Sequence, residues 1–236
     1  MANGLAIIPA RGGSKRFQRK NLARLRGKTL TAHAIDAAVQ SGLFSTILVS
    51  SDDEEILNEA RSRPKPVQSH RRDSSLARDQ STALELVQHL VDEAASHHDV
   101  VALLLPTAPL RTAADLQRGA ALLDRYPEAD GVVSLTSYEF PPQLAVSVKG
   151  QVVTPMGSPS PLITGDTRSQ DQSELFRPNG AFYMKRWDAF KGSPNFWTGN
   201  VLGYLMDRLQ SPDIDTPLDL AVAELYLGWE ERERDG

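Results

Sequence analysis

The chain predicts an α/β fold with a mostly parallel sheet flanked by helices, and three observations carry that expectation. Short apolar runs end at Pro, Gly or polar loops, segments with apolar residues at helical spacing lie between them, and the two alternate four times in the first 135 residues. Such alternation is the pattern of parallel strands joined by helical crossovers. A length of 236 residues suits one large domain with a sizeable core.

The elements follow in order. Leu5 to Ile8 is a continuous apolar run that stops at Pro9 and a basic, Gly-containing loop, as expected of a strand buried on both faces. An Ala-rich amphipathic segment from Leu30 to Val39 ends at Gly42, a helix followed by its C-terminal signal. Thr46 to Ser50 reads as the second strand, and Asp52 to Arg61 as a short helix with acids in its first turn. Ser62 to Gln80 is rich in Pro, Ser, Arg and Asp without a period and predicts a loop. Helix over Ser81 to Ser96, strand over Val100 to Leu105, helix over Ala113 to Tyr126 and strand over Gly131 to Leu135 complete the alternation.

After Ser137 the pattern changes. Leu144 to Val148 and Gln151 to Val153 alternate around Lys149-Gly150, a hairpin cue, and Pro155 to Gln172 is loop-like, so a small inserted lobe is expected near 138–178. Ala181 to Met184 and Val201 to Met206 read as further strands. Thr216-Pro217 opens a closing helix over Leu218 to Leu227, with the charged tail from Glu230 expected to fray.

Composition excludes several classes. Hydrophobic residues are 40% and charged residues 24%, which excludes wholesale disorder. A net charge of -4 gives no attraction to a polyanion, so no nucleic-acid polymer is expected as partner. The absence of cysteine rules out disulfides, Cys-based zinc sites, iron–sulfur clusters and a thiol nucleophile. The first apolar stretch is too short for a secretory segment and no run reaches the length of a membrane span, so no membrane partner is expected and the expected compartment is the cytoplasm.

Chemistry concentrates in Pro9-Ala10-Arg11-Gly12-Gly13-Ser14-Lys15, continuing to Arg19-Lys20-Asn21, directly after the first strand. Open α/β sheets bind ligands at that end. Two glycines allow close backbone approach to an anion, and Arg11, Lys15, Arg19 and Lys20 supply charge for a polyphosphate. The glycine spacing matches neither a P-loop nor the dinucleotide fingerprint, and Ser14 lacks a nucleophile elbow, so it is assigned to phosphate binding. In Asp213-Ile214-Asp215 an extended backbone would put both carboxylates on one face, a hard-oxygen pair suited to Mg²⁺. The five histidines form neither a metal triad nor a Ser/His/Asp set and read as surface or satisfied groups.

These segments resemble the CMP-sialic acid synthetase (acylneuraminate cytidylyltransferase) family and related nonulosonic acid cytidylyltransferases. The resemblance rests on Ile8 to Lys15 with Arg19-Lys20-Asn21, on Ser50-Ser51-Asp52-Asp53-Glu54-Glu55-Ile56, on Leu105-Pro106-Thr107-Ala108-Pro109-Leu110-Arg111, on Arg177-Pro178-Asn179-Gly180-Ala181-Phe182-Tyr183, and on Asp213 to Leu220. The blocks stand in family order and span nearly the whole chain.

The resemblance implies a Rossmann-like, nucleotide-diphospho-sugar transferase-like fold in which the lobe serves a homodimer. It implies transfer of CMP from CTP to the anomeric hydroxyl of a sialic-acid-like keto-sugar acid, with pyrophosphate released and Mg²⁺ held by Asp213 and Asp215. Nucleotide contacts would come from Ala10, Arg11, Gly12, Gly13, Ser14, Lys15, Lys20, Asn21, from Arg72 in the segment His70 to Asp79, and from Ser81 or Thr82. Arg11, Lys20 and Asp215 would be the catalytic groups. Sugar contacts would involve Leu105, Arg168, Gln170, Phe182 and Tyr183, with strand alternation allowing only one of the two aromatics to face the site. Leu105 stands where sialic acid synthetases usually carry Gln, and Gln172-Ser173 replaces their downstream Leu-Pro, so the acceptor is expected to differ from ordinary sialic acid. Pseudaminic, legionaminic or deoxy-octulosonic acid, or GTP as the nucleotide, are the alternatives within the class; a non-catalytic nucleotide-binding regulator is the alternative outside it.

Overall fold

The structure is a computed structural model that describes residues 3–14, 16–73 and 82–235, with side chains to 229. β1 (Gly4–Pro9) opens the chain, with Leu5, Ala6, Ile7 and Ile8 all buried. A short turn of 3-10 helix (Lys20–Leu22) and the paired dipeptides β2 (Arg24–Leu25) and β3 (Lys28–Thr29) lead into α1 (Leu30–Ser41). The Thr29 hydroxyl caps the first turn of α1, and Gly42, at φ 66°, ends the helix in the left-handed region. β4 (Phe44–Ser51), α2 (Glu54–Arg61), β5 (Val67–Arg71), α3 (Ala83–Asp92), β6 (Val100–Leu103), α4 (Ala113–Arg125) and β7 (Gly131–Ser137) follow. The lobe holds the hairpin β8 (Val146–Lys149) and β9 (Val152–Pro155) and the single turn α5 (Pro161–Thr164). The chain then returns through β10 (Phe176–Arg186), α6 (Trp187–Gly192), β11 (Val201–Leu205) and α7 (Pro217–Asp235).

Seven strands form one sheet in the order β11-β7-β10-β6-β1-β4-β5. Its direction of winding reverses between β1 and β6, which both run parallel and are paired to each other. β10 runs antiparallel to β6 and β7, so the sheet is mixed where uniform alternation would have made it parallel. The reason is the lobe: no crossover helix joins β7 to β10, and a long excursion can bring the chain back in either direction.

Alternation along β1 sends Ala6 and Ile8 into a core shared with Ile35, Ile56, Leu116 and Phe182, and Leu5 and Ile7 into a second core with Leu86, Leu90, Trp187 and Phe190. The sheet is thus the middle of three layers, each buried Leu or Ile contributing about 1.5–3 kcal/mol relative to exposure. A third, smaller cluster joins Leu25, Leu30, Ile214 and Ala223, and it fixes the segment before α7 against the base of α1.

Two further elements differ from expectation. β5 lies inside the stretch predicted as loop; it is an edge strand with only Val67 buried, and a polar edge strand carries no apolar period to read. α7 continues through the charged tail to Asp235, because Glu and Arg are good helix formers in that stretch.

Candidate functional site

The loops after β1, β5 and β6 and the segment before α7 enclose a cavity of about 320 Å³ at the carboxyl ends of the strands. Its lining includes Arg11, Lys20, Asn21, Arg72, Leu105, Thr107, Asp213 and Asp215. It opens at the β1/β6 reversal, where α/β sheets place their ligands.

The basic loop is held by the elements around it. The Ala10 N–H donates to the Ser50 carbonyl at 2.9 Å, and the Asn21 amide donates to the Arg11 carbonyl at 2.8 Å. The Gly12 N–H donates to Asp52 at 2.8 Å, and a Cβ at Gly12 would stand 2.7 Å from that of Asp53, so only glycine fits this approach. Asp53 itself caps α2, accepting from the Glu55 and Ile56 amides. Arg19, in the left-handed region at φ 54°, pairs with Glu55 at 2.6 Å, outside the cavity lining.

Opposite the cations stand the two carboxylates. Ile214 is fully buried and its N–H donates to the Thr107 carbonyl at 2.8 Å, which leaves Asp213 and Asp215 on the cavity wall on either side of it. Lys20 donates to Asp215 at 2.7 Å, and Arg16 approaches the same carboxylate at 3.4 Å. Burial pushes the Asp213 carboxyl up, a hydrogen bond from Thr107 opposes this, and the neighbouring negative charge of Asp215 pushes it up further. Two hard-oxygen donors on one wall of the cavity, with Asp215 raising the Asp213 carboxyl, fit a divalent cation of the Mg²⁺ kind. Asp219 accepts from the Asp215 and Thr216 amides and so steadies the entry to α7.

The structure brings together Arg11, Lys20, Asn21, Arg72, Leu105, Asp213 and Asp215 on one cavity. Thr82 also lines it while its hydroxyl caps α3 in a capping box with Glu85. Lys15 and Ser81 lie outside the described residues. Gly13 and Ser14 belong to the same loop but not to the lining. Ala10 does not reach the cavity: it is fully buried and its amide is spent on Ser50. Phe182 is likewise core, packed on Gly119 and 5.5 Å from the Tyr204 ring, because its position on β10 faces α4. Tyr183 points to the other face, where burial and the nearby Asp213 push its hydroxyl up. Arg168 and Gln170 are exposed on the lobe and do not line the cavity.

Sequence reasoning missed three supporting residues. Asn179 is buried, accepts from the Ala181 amide and donates to Ser211, tying an irregularity in β10 to the segment that carries Asp213. Arg111 is buried among carbonyls, donating to Leu105 at 2.6 Å and to Ala181, and burial lowers its guanidinium to about 9. His70 touches Ser50 beneath the basic loop instead of facing solvent. All three lie in segments that carry the resemblance, Asn179 in Arg177 to Tyr183, Arg111 in Leu105 to Arg111 and His70 in His70 to Asp79, but nothing in those segments marks them as supports of the site.

Cations on loops at a sheet reversal, facing a carboxylate pair, suit an α/β protein that takes a nucleotide polyphosphate. The cytidylyltransferase family pattern matches residues 5–133, and the chain belongs to that family. It is 30% identical, over 98% of its length, to an N-acylneuraminate cytidylyltransferase of Streptococcus agalactiae serotype III (strain NEM316), of which the match covers 55%. The chain thus spans about half the length of such curated relatives. It is 31% identical to a pseudaminic acid cytidylyltransferase of Campylobacter jejuni subsp. jejuni serotype O:23/36 (strain 81-176), with 94% of each chain covered. Among solved structures, a CMP:2-keto-3-deoxy-manno-octonic acid synthetase complexed with CTP superposes with a TM-score of 0.69 over 97% of this chain and 99% of that one, at 16% identity, a likeness of fold.

Proposed function

We propose that the chain transfers CMP from CTP to the anomeric hydroxyl of a sialic-acid-like keto-sugar acid. The hydroxyl oxygen forms a bond to the α-phosphorus, the bond from that phosphorus to the bridging oxygen breaks, and pyrophosphate leaves. The observation that carries this reading is the single cavity on which Arg11, Lys20 and Arg72 face Asp213 and Asp215. Nucleotidyl transfer depends chiefly on positioning and on neutralising charge. Arg11 and Lys20 would take the charge of the leaving phosphates, and Arg72 would hold the nucleotide from the β5 side. Asn21 holds the basic loop through the Arg11 carbonyl, while Leu105 gives the acceptor side an apolar wall. Asp215 is the candidate carboxylate to receive the hydroxyl proton. Asp213 and Asp215 would hold Mg²⁺, whose chemistry is to neutralise phosphate charge and orient the triphosphate.

The lobe supports a homodimer. The hairpin β8–β9 is a two-stranded sheet with Val148, Val152 and Val153 about 60% exposed or more, joined by Phe140 and Ile163 at similar or greater exposure. A hairpin of that kind needs a partner to be stable. A second copy of this chain would cover it and could bring Arg168 and Gln170 to the neighbouring cavity. A reaction that consumes CTP needs a compartment that holds nucleotides, which supports the cytoplasm.

The test is pyrophosphate release with Mg²⁺ from each of the four ribonucleoside triphosphates against a panel of nine-carbon and eight-carbon sugar acids. Release with CTP and one acid establishes reaction and acceptor. Release with GTP alone overturns the nucleotide, and silence with all four triphosphates overturns the reaction.

A further inference from the structure

Ser50, fully buried at the end of β4, is the register partner of Pro9 on β1 and of His70 on β5. Its carbonyl accepts from the Ala10 N–H and from Arg72 Nη2, each at 2.9 Å. Its hydroxyl oxygen lies 3.3 Å from Arg72 Nε and 3.0 Å from His70 Nδ1. One buried serine therefore anchors both the root of the basic loop and a cation of the cavity wall. Arg72 spends Nε and a hydrogen of Nη2 on Ser50, and its Nη1 has no hydrogen bond to any described residue.

The direction of the hydrogen bonds follows from the donors. Arginine Nε–H only donates, so the Ser50 oxygen accepts there and has its own hydrogen to give. The contact that takes it is His70 Nδ1, which must then carry a lone pair, with the ring proton on Nε2. Burial favours that neutral ring. Of the charged groups around it, Glu93, beyond the end of α3, favours the imidazolium, while His89 on α3 and Arg72 oppose it. A proton on Nδ1 would face the Ser50 oxygen with a second donor and leave the hydroxyl hydrogen to find an acceptor in a buried place. It would also set a positive charge beside Arg72, on which burial and Arg11 already act against the cation while Asp52 favours it.

We propose that neutral His70 is a positioning residue for the nucleotide: through the Ser50 hydroxyl it fixes the Arg72 guanidinium on the cavity wall, and protonation of His70 releases it. This rests on the reading of Arg72 as a nucleotide contact. The consequence is an affinity for CTP that falls on the acid side of neutrality by more than the titration of CTP's own terminal phosphate explains.

The experiment is calorimetric binding of CTP to the full chain from about pH 5.5 to pH 8, the range in which imidazole titrates, for wild type, Arg72→Ala, Ser50→Ala and His70→Gln. Arg72→Ala should weaken binding about tenfold or more at neutral pH, as loss of a charge-assisted contact does, and should approach wild type on the acid side, where protonated His70 has already released Arg72. Ser50→Ala should cost about three- to tenfold at neutral pH. His70→Gln, which keeps an acceptor for Ser50 but cannot charge, should lose the excess acid-side fall. Superimposed pH profiles for wild type and His70→Gln overturn the proposal. So does wild-type affinity in Ser50→Ala beside a weakened Arg72→Ala. Wild-type affinity in Arg72→Ala would instead remove the nucleotide contact itself, and the proposal with it. Should His70→Gln not fold, NMR titration of His70 in the wild-type chain decides: saturating CTP must lower its titration midpoint, because coupling between proton and ligand is reciprocal, and an unmoved midpoint overturns the idea.

Discussion

The cavity at the β1/β6 reversal and the lobe at 138–178 are built on opposite principles. Around the cavity, the loops are tied to one another and to β4 by hydrogen bonds: Asn21 to the Arg11 carbonyl, the Gly12 N–H to Asp52, Arg72 to Ser50 on β4, and the Ile214 N–H to the Thr107 carbonyl. In the lobe, valines stand exposed on both strands of a hairpin whose strands pair with each other in a separate two-stranded sheet. Preorganised charge suits a site that must receive a triphosphate without rearranging. Unspent apolar surface suits a segment completed by another chain. Each region can be broken without the other, and the expected effects separate them.

The largest effect belongs to the cavity. Lys20→Ala should lower turnover about a hundredfold or more, the usual cost of removing a group aimed at developing charge, while thermal unfolding stays close to wild type; normal turnover would remove Lys20 from the mechanism. Next comes the lobe. If the proposed homodimer forms through the hairpin, Val148→Glu with Val152→Glu should give a monomer by light scattering where wild type gives a dimer, with reduced activity and an intact main domain by circular dichroism. A dimer that survives both charges would place the interface elsewhere.

The basic loop offers a finer contrast within one dipeptide. At Gly12 an added Cβ meets Asp53, whereas at Gly13 nothing lies within 4 Å. Gly12→Ala should therefore cost about 1–3 kcal/mol through forced displacement, and Gly13→Ala should be near neutral in urea unfolding. Equal costs would mean that the loop does not pack on α2 as described.

The smallest effect lies far from both regions. His98 is buried at the amino end of β6 beside Trp187, and burial lowers its pKa, with the charge of His97 acting the same way. The unfolded chain takes up a proton near pH 6.5 that the folded chain refuses. Stability is then full above that pH and is lost as the pH falls through it toward the folded value, at about 1.4 kcal/mol for each unit of separation. His98→Gln should remove this slope from the pH dependence of the melting temperature, and an unchanged slope would assign it to other groups.

Much of the frame was legible because it is written in local patterns. β1, β4, β6 and β7 are apolar runs with clear ends, and α1, α2 and α4 carry caps and periodicity that need no tertiary partner to be read. The basic loop and the Asp213-Ile214-Asp215 alternation were legible for the same reason. β5 was not, since an edge strand buries one residue and shows no period. Phe182 could not be distinguished from Tyr183 because a strand's two faces are equivalent until its neighbours are placed; α4 takes one and the Asp213 side the other.

By itself, then, the amino-acid sequence determined the α/β class, the family and the kinds of groups brought to the site, since composition, local period and motif are properties of neighbours along the chain. Only the tertiary structure decided that Lys20 meets Asp215 across 195 positions, that β10 runs antiparallel, and that His70, Ser50 and Arg72 form one chain of contacts. Those facts depend on which strands lie side by side and in what register, and register is set by packing across the whole sheet.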